Sequence, residues 1–342
     1  MRAVGYRTPG TIDREESLID LELERPAASG HDILVEIEAV SVNPVDTKVR
    51  ASRQPIDGDP VVLGWDAVGT VVELGNEVTR FKVGDRVWYA GAINRSGTNA
   101  EYHLVDARIV GRAPESIGAA AAAALPLTAL TAHEMLFDRL QADNGTPGGA
   151  NAIVIVGGAG GVGSIAIQLA RALTDLVVIA TASRPETMAW VAQLGAHHVI
   201  DHRHPLPDQV AALGVGAPGF VFSTTHSASY VDQIAELIAP QGRFGLIDEL
   251  EGTSIDPLKS KAVSIHWELM FTRSLFATPD MARQGAILDE IAALVDDGRV
   301  KSTATEVFGA INAHNLRRAH SLIETNTAKG KIVLEGFAID SA

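Results

Sequence analysis

The hydrophobic pattern of the first third of the chain predicts short strands joined by turns. Between Ile33 and Val42, apolar side chains alternate with Glu36 and Glu38, which is the period of a half-buried strand. Further short strands are expected at 69–74, 85–89 and 100–105. Helical stretches are expected at 117–125, where alanines form a packed helix, and from 126 to about 140. This part of the chain is therefore predicted to be a compact antiparallel β unit.

Beyond the turn-rich loop at 143–149, strand-like and helix-like runs alternate. Strands are expected at 152–156, 176–180, 220–223 and 243–247, and helices at 162–173, 185–194 and 227–238. This alternation predicts a parallel sheet with helices on both faces, a doubly wound domain. Two more helices, at 281–297 and 313–324, lead to a last strand at 331–335. We expect this tail to return to the first domain.

Length, composition and charge change this picture in four ways. A chain of 342 residues is longer than one core usually grows, so we expect two domains, 1–125 with 276–342, and 126–275. No apolar run approaches the length of a membrane span and no signal sequence is visible, which favours the cytoplasm. The net charge of −14 makes nucleic acid an unsuitable partner. The absence of cysteine excludes disulfides, thiolate nucleophiles and every cysteine-containing zinc site.

The clearest chemical signal is the glycine-rich run that follows the strand at 152–156. Gly158, Gly160 and Gly163 have the spacing G-x-G-x-x-G, and a helix follows them directly. Glycines at these positions permit a tight turn, close approach of a pyrophosphate and close helix packing. We therefore predict a dinucleotide site, with Gly161 and Val162 as further contacts. The alternative is a glycine-rich surface turn.

The end of the second strand of this domain bears on the choice between NAD and NADP. An acid there would bind the ribose 2′-hydroxyl, but the strand ends in Ala182-Ser183-Arg184. A hydroxyl and a guanidinium can both donate to a 2′-phosphate, which an acid would repel. NADPH is therefore the expected cofactor. The alternative for Arg184 is a solvated arginine at the start of a helix.

Motifs along nearly the whole chain resemble the medium-chain dehydrogenase/reductase superfamily, specifically its quinone-oxidoreductase-like branch. They are Val42-Asn43-Pro44-Val45-Asp46, Leu63-Gly64-Trp65-Asp66 with Gly69, Gly75-Asn76-Glu77-Val78, Phe81-Lys82-Val83-Gly84-Asp85-Arg86-Val87, Pro126-Leu127-Thr128-Ala129-Leu130-Thr131-Ala132, Gly160-Gly161-Val162-Gly163 and Gly330-Lys331-Ile332-Val333-Leu334. The resemblance implies an α/β protein in which a GroES-like, β-rich catalytic domain at the N-terminus is completed by the C-terminal tail. A Rossmann domain, the doubly wound parallel sheet, lies between them, with the active site in the cleft.

The chain departs from the zinc-dependent members of this superfamily, although similar sequences often carry a zinc-type name. Those members place a Cys near Asn43–Asp46, a Gly-His-Glu where this chain has Gly64-Trp65-Asp66, and a four-Cys lobe where it has 89–99. We therefore expect no zinc. A histidine-rich segment is the remaining candidate for a metal site, and we interpret it as a solvated loop; its members are His197, His198, Asp201, His202 and His204.

The resemblance also implies roles for single residues. Asn43 and Asp46 would border the substrate and the nicotinamide, and Trp65 would line the cleft. The structural alternatives are that Asn43 caps a turn, that Asp46 supports a loop, and that Trp65 belongs to the core. Three further cofactor contacts are expected, Thr128 near the carboxamide, His202 beside the adenosine phosphate, and Lys331 at the phosphates unless it faces solvent.

These observations favour an NADPH-dependent reductase of quinones or small enones. Alcohol oxidation depends on a metal to make the alkoxide accessible, whereas a conjugated carbonyl can take a hydride with hydrogen bonds alone. The alternatives are a zinc alcohol dehydrogenase with unusual ligands, and an NADPH-binding protein with a structural or regulatory role. A strand-like run at 262–267, with Val263, Ile265 and Trp267 on one face, predicts a homodimer through the edge of the sheet.

Overall fold

The computed structural model describes residues 1–337 and divides the chain into two compact units. Unit 1 contains Met1–Leu127, Phe271–Gly298 and Ser302–Ala342, and unit 2 contains Thr128–Met270 and Arg299–Lys301. The expected boundary after residue 125 lies two residues before the observed division after Leu127. The expected boundary after residue 275 lies five residues beyond the observed division after Met270. The last five residues of the expected catalytic domain, 338–342, lie outside the described residues.

The strands of both units are short, as the alternating pattern predicts. In chain order they are β1 (Arg2–Tyr6), β2 (Ile19–Glu22), β3 (Asp32–Val42), β4 (Val61–Val62), β5 (Ala67–Leu74), β6 (Arg86–Tyr89), β7 (Tyr102–Asp106), β8 (Gly111–Arg112), β9 (Ala150–Val156), β10 (Val177–Thr181), β11 (His198–Ile200), β12 (Pro218–Ser223), β13 (Arg243–Leu246), β14 (Ser264–Trp267), β15 (Ala304–Val307) and β16 (Lys331–Glu335).

The helices lie mostly where the sequence predicts them. In chain order they are α1 (Pro44–Ser52), α2 (Ala119–Ala123), α3 (Pro126–His133), α4 (Gly161–Leu173), α5 (Pro185–Gln193), α6 (Leu206–Ala212), α7 (Val231–Leu237), α8 (Thr272–Leu275), α9 (Arg283–Asp296) and α10 (Ala313–Glu324). The stretch after α3 differs from the expected continuous helix, because Glu134–Arg139 form a π-helix. α1 was not expected, although Asn43 before Pro44 is a recognised start signal for a helix.

Unit 1 is built on mainly antiparallel sheets. β2, β1 and β4 form one, and β15, β16, β3, β5, β6 and β8 form the other, with β7 also paired to β3. Val35 and Ile37 of β3 are buried while Glu36 between them is exposed, as the alternating pattern predicts. β16 pairs antiparallel with β3, so the tail of the chain completes this unit as expected.

Unit 2 contains a six-stranded parallel sheet in the order β11-β10-β9-β12-β13-β14. Numbered from β9, this is the order 3-2-1-4-5-6 of dinucleotide-binding domains. The central strands are apolar over most of their length, because helices cover both faces of such a sheet; Ile153, Val154 and Ile155 of β9 are all fully buried. The GroES-like and Rossmann architectures expected from the sequence are confirmed.

The length of one apolar stretch was underestimated from the sequence. Ala119–Arg139 is long and apolar enough to cross a membrane by length and composition, contrary to the expectation that no run approaches that length. In its most apolar window, 83% of the residues are buried inside the protein. This is the behaviour of a core helix, and the stretch is therefore weak evidence for a membrane span.

Two acidic side chains are buried together in unit 2, just after the edge strand β14. Glu268 and Glu134 both have almost no exposed surface, and the Nε of Arg139 donates to Glu268 at 2.8 Å. Burial and the neighbouring charge of Glu134 together raise the pKa of Glu268 to about 8, although Arg139 opposes the shift. At neutral pH the pair therefore retains a proton that the unfolded chain would release.

This shared proton predicts a stability that falls as the pH rises. Between the ordinary glutamate pKa of about 4.3 and about 8, the folded state binds one more proton than the unfolded state, so its free energy of unfolding decreases by up to about 1.4 kcal/mol per pH unit. Glu268→Gln keeps the shape without the titration, so its stability relative to the wild type should increase across this range. Urea unfolding from pH 5 to 8.5 measures the free energy of unfolding of both proteins, and Glu236→Gln, at an exposed glutamate, is the control. A constant difference between Glu268→Gln and the wild type at every pH would contradict the assignment.

Candidate functional site

The glycine-rich turn of unit 2 lies between β9 and α4, as predicted. Gly157 has a φ of +79°, which favours glycine, and Gly160 is the N-cap of α4. A Cβ on Gly163 would lie 2.3 Å from the carbonyl oxygen of Gly157, whereas a Cβ on Gly160 would meet only that oxygen, at 3.6 Å. Gly163 is therefore required for close packing of the helix. Gly160 instead leaves open space beside the N–H groups that begin α4, which is the space a pyrophosphate needs.

The end of β10 supports this turn. The N–H of Gly157 donates to the Thr181 hydroxyl at 3.0 Å, and the N–H of Gly158 donates to the Thr181 carbonyl at 3.1 Å. Arg184 follows as the N-cap of α5, and its side chain is 41% exposed. Its Nε lies 2.9 Å from Glu186, an acid that the sequence analysis did not consider. The guanidinium is accessible to an anion but shares its charge with this carboxylate.

His202 lies in a positively charged neighbourhood on the exposed loop after β11. Partial burial lowers the pKa of His202, and the charges of Arg203, His226 and Arg184 lower it further against the opposing effect of Asp201. Asp201 binds Arg203 at 2.6 Å. Within residues 1–337, no group of three or more His, Asp or Glu side chains is placed to hold a metal ion.

The sequence analysis missed the polar residues at the end of β12, the strand beside β9. The Thr224 hydroxyl donates to the Val156 carbonyl at 2.9 Å, and a Cβ on Gly157 would lie 2.5 Å from that hydroxyl oxygen. The next residues, Thr225 and His226, lie at the same edge of the sheet, where ligands of doubly wound domains bind. The signal was available, because these residues directly follow an apolar strand-like run in the sequence.

In unit 1, Asn43 and Asp46 form the start of α1. The Asp46 carboxylate accepts the N–H of Asn43 at 2.7 Å and that of Gly64 at 3.0 Å. Asp46 therefore caps the helix and also holds the loop that carries Trp65. The pKa of Asp46 is raised to about 7, mainly by burial and also by the charge of nearby Asp66, while its N–H donors and the charge of Lys331 oppose the shift. The structural alternatives considered for both residues are seen, and their contact with substrate remains a prediction.

Asp66 is the centre of a buried polar cluster that the sequence analysis did not identify as a site. Its carboxylate accepts hydrogen bonds from four groups at 2.7–3.2 Å; they are the Ser41 hydroxyl, the Asn43 amide, the Leu127 N–H and the Lys331 ammonium. Burial of a charged residue requires such partners, because an unpaired carboxylate would lose its hydration without compensation. We name Asn43, Asp66 and Lys331 the lysine cluster.

Lys331 lies among buried partners that the sequence analysis did not predict. Its side chain is buried, so it does not face solvent. Its Nζ donates to the Val42 carbonyl at 2.8 Å, to the Asn43 amide oxygen and to Asp66. These three acceptors use all three N–H groups of the ammonium. The solvent-facing alternative is therefore wrong, and the expected contact with cofactor phosphates remains a prediction.

Trp65 is 1% exposed and lies in the core of unit 1. Its indole Nε1 donates to the Ala92 carbonyl at 3.3 Å, and its ring meets that of Phe271 edge-on at 6.2 Å. Thr128, at the start of α3, is also buried, within unit 2. The predicted contacts of Trp65 with substrate and of Thr128 with the nicotinamide remain predictions.

The residues of unit 1 do not fit a catalytic zinc ion. Trp65 stands where zinc-dependent members carry a histidine, and an indole N–H can only donate. Both oxygens of Asp46 already accept backbone N–H groups, and the carboxylate of Asp66 faces the ammonium of Lys331. A dication placed there would be repelled by that ammonium and would have no thiolate or imidazole ligand among these side chains.

Comparison with known proteins shows where this chain belongs. A model of the alcohol dehydrogenase GroES-like domain matches residues 29–125, and a model of zinc-binding dehydrogenases matches residues 194–334. A zinc-type alcohol dehydrogenase-like protein of Staphylococcus aureus strain MSSA476 is 38% identical over 336 residues, which are 98% of this chain and 99% of the relative.

Solved structures agree with this family over nearly the whole chain. A protein from Rhizobium etli CFN 42, with the provisional name zinc-dependent alcohol dehydrogenase, is 60% identical, covers 99% of both chains and has a TM-score of 0.98. A quinone oxidoreductase of Pseudomonas syringae pv. Tomato DC3000 is 26% identical over 98% of this chain and 99% of its own, with a TM-score of 0.82. A mycobacterial protein in complex with NADPH is 25% identical with the same coverage and a TM-score of 0.80. The chain belongs to the medium-chain dehydrogenase/reductase superfamily of oxidoreductases.

Proposed function

We propose that this oxidoreductase uses NADPH to reduce a quinone or a small α,β-unsaturated carbonyl compound without zinc. The observation that carries the proposal is the chemistry of Asn43, Trp65 and Asp66, which stand where the resemblance gives zinc-dependent members a Cys and a Gly-His-Glu and whose polar groups bind partners within unit 1. Alcohol oxidation would lack its Lewis acid there. Relatives named quinone oxidoreductase provide independent support.

The residues of unit 2 fit a bound NADPH. The space beside Gly160 and the N–H groups that begin α4 would hold the pyrophosphate. Ser183, Arg184 and His202 would surround the 2′-phosphate, because both the guanidinium and the imidazole can donate to it. Thr128 would lie near the carboxamide. A relative solved with NADPH supports this choice of cofactor.

When bound, NADPH supplies a hydride, the two electrons and one hydrogen that reduce the substrate. This chemistry would suit a conjugated carbonyl compound, because the charge that arrives with the hydride would be delocalised onto the carbonyl oxygen. Water supplies the proton that completes the reduction. In this proposal the backbone beside the substrate is held in position by three side chains, those of Asn43, Asp46 and Trp65. Their polar groups form hydrogen bonds within unit 1.

Arg184→Ala should weaken NADPH binding by tenfold to about a hundredfold, because one charge-assisted contact to the 2′-phosphate, worth roughly 1.5–3 kcal/mol, is lost. NADH lacks this phosphate, so its affinity should not change. Glu186→Gln should act in the opposite direction on NADPH, since it frees the guanidinium from its carboxylate partner. Titration of cofactor fluorescence measures the affinity of Arg184→Ala for NADPH and for NADH, and that of Glu186→Gln for NADPH. Equal binding of NADH and NADPH by the wild type would refute this interpretation of the site.

We also propose that the protein acts in the cytoplasm as a homodimer on a small molecule. β14 is the last strand of the parallel sheet, and near it Trp267 and Leu269 are 54% and 52% exposed. An exposed edge with apolar neighbours is a surface on which a second copy can pair.

Leu269→Lys should shift the protein from dimer toward monomer, because it places a charge in the proposed interface. Ile56→Lys, at an apolar side chain in unit 1 that is 78% exposed, is the matched control and should leave the mass unchanged. Sedimentation equilibrium at micromolar concentration provides the measurement. A wild-type protein with the mass of a single chain would rule out the dimer.

A further inference from the structure

Arg53 is a partly exposed arginine of unit 1 whose guanidinium has no acceptor in the described part of the chain. Asp57 and Asp59 lie on the same loop but form no ion pair with it. Among the other buried or partly buried arginines of unit 1, Arg317 donates to two backbone carbonyls. The rest are paired with acids; they are Arg2, Arg50, Arg80, Arg86, Arg95 and Arg273. A cation that has lost part of its hydration favours an anionic partner, so the charge of Arg53 is free for a ligand.

The backbone of Arg53 is fixed at the C-terminal end of α1. Its N–H donates to the Val49 carbonyl at 2.9 Å, and its carbonyl accepts the hydroxyl of Tyr6 at 2.9 Å. The pKa of Tyr6 is raised to about 12, mainly by burial, although the charges of Arg53 and Arg50 oppose the shift. The phenol therefore remains a donor at neutral pH. The start of the Arg53 side chain is thus held in place before any ligand binds, which lowers the entropic cost of binding.

The guanidinium of Arg53 lies over the indole ring of Trp65. The distance from its central carbon to the ring centroid is 5.7 Å, which is within the range of a cation–π contact. Trp65 is the residue that the proposed function places beside the substrate. Three positions beyond Arg53, on the same loop, Ile56 is 78% exposed. A free cation therefore lies next to the aromatic ring of the proposed substrate site, on a loop that also carries an exposed apolar side chain.

We infer that Arg53 binds a carboxylate of the substrate, so that the compound reduced is a quinone or an enone with an acidic side chain. The inference rests on the proposed function, because it takes the substrate to lie beside Trp65. A guanidinium offers two parallel N–H groups that match the two oxygens of a carboxylate, whereas a neutral carbonyl would leave the charge unpaired. The net charge of −14 repels anions at a distance, so an anionic substrate needs a local cation of this kind. Arg53 would then determine specificity and take no part in the hydride transfer.

The test compares two substrates that differ in one charge, a naphthoquinone with a carboxypropyl side chain and the methyl ester of the same compound. NADPH oxidation by the full-length protein at neutral pH gives kcat and KM for each. The wild type should have the lower KM for the acid. Arg53→Met should raise that KM by tenfold to about a hundredfold, because a bidentate charged contact is lost. It should change kcat for the acid, and both constants for the ester, by less than about twofold.

Arg25→Met is the matched control, because it removes the same charge from an exposed position of unit 1 and should leave both substrates unaffected. Arg53→Lys keeps the charge without the planar fork and should retain part of the preference for the acid. Circular dichroism checks that each variant is folded. If Arg53→Met does not fold, Arg53→Gln gives the same comparison, because an amide also lacks the charge.

The outcomes separate this inference from the proposed reaction. Equal KM values for acid and ester in the wild type, or an equal loss for both in Arg53→Met, would overturn the inference and leave the reaction standing. If the wild type reduces small enones but neither naphthoquinone, the inhibition constants of the two compounds against an enone give the same comparison. A wild type that oxidises NADPH with no quinone and no enone would refute the proposed reaction, and the inference with it.

Discussion

Gly160→Val should remove NADPH binding and NADPH-dependent activity together, with affinity reduced by more than about a hundredfold. The structure explains why this loss should occur in a folded protein. Gly160 has a φ of −73°, which valine can adopt. A Cβ added to Gly160 would have one neighbour within 4 Å, the carbonyl oxygen of Gly157 at 3.6 Å. The added side chain would therefore fit the empty turn but occupy the space that the pyrophosphate requires. A hundredfold loss corresponds to about 2.8 kcal/mol, a reasonable cost for closing the approach to an anion site.

Two other glycines make this prediction specific. Gly118 is also a helix N-cap with extended backbone, and a Cβ there meets nothing within 4 Å, so Gly118→Val is a matched control that should bind NADPH normally. Gly163→Ala should instead impair folding, because its Cβ would lie 2.3 Å from the Gly157 carbonyl oxygen. Calorimetric titration with NADPH, together with circular dichroism, distinguishes the two failures. If Gly160→Val binds NADPH like the wild type, the turn is not the pyrophosphate site.

Most of the fold could be predicted because the hydrophobic pattern records burial directly. The strand β3 alternates at its centre, where Glu36 and Glu38 leave the core, and β9 is apolar from Ala152 to Val156 because helices cover both faces of its sheet. Predictions failed where a local signal was overlooked or was outweighed by packing. α1 was missed although Asn43 and Pro44 mark its start, and the helix after Pro126 changes to a π-helix at Glu134–Arg139, where Glu134 is completely buried.

The two halves of the candidate site differed in how far the sequence could predict them. The glycine turn was predictable because backbone geometry restricts which residues can stand there. The lysine cluster was not, because its members are separated by up to 288 positions and meet only through the pairing of β16 with β3. A buried charged side chain shows in a sequence only as a polar residue among apolar neighbours, and its partner is not specified. The burial of Lys331 among these partners was therefore not predicted.

The second large effect concerns the reaction. With NADPH as donor, turnover of a quinone or a small enone should exceed NADP-dependent oxidation of a short alcohol by roughly tenfold or more at neutral pH, a difference of about 1.4 kcal/mol or more in activation free energy. The physical reason is the absence of a suitable ligand set for a Lewis acid around Asp46, Trp65 and Asp66. A conjugated acceptor stabilises the charge that arrives with the hydride by delocalisation, whereas an alcohol must first lose a proton.

The decisive experiment runs both reactions with and without a chelator, on protein purified without added metal whose zinc content is measured. Reduction of the quinone or enone should be unaffected by the chelator, and zinc should be well below one ion per chain. Faster alcohol oxidation that disappears with the chelator would show a zinc alcohol dehydrogenase with unusual ligands. NADPH binding without turnover of either substrate class would instead indicate a binding protein. The first of these outcomes would require a ligand set other than Asp46, Trp65 and Asp66, because the polar groups of these side chains already bind partners within unit 1.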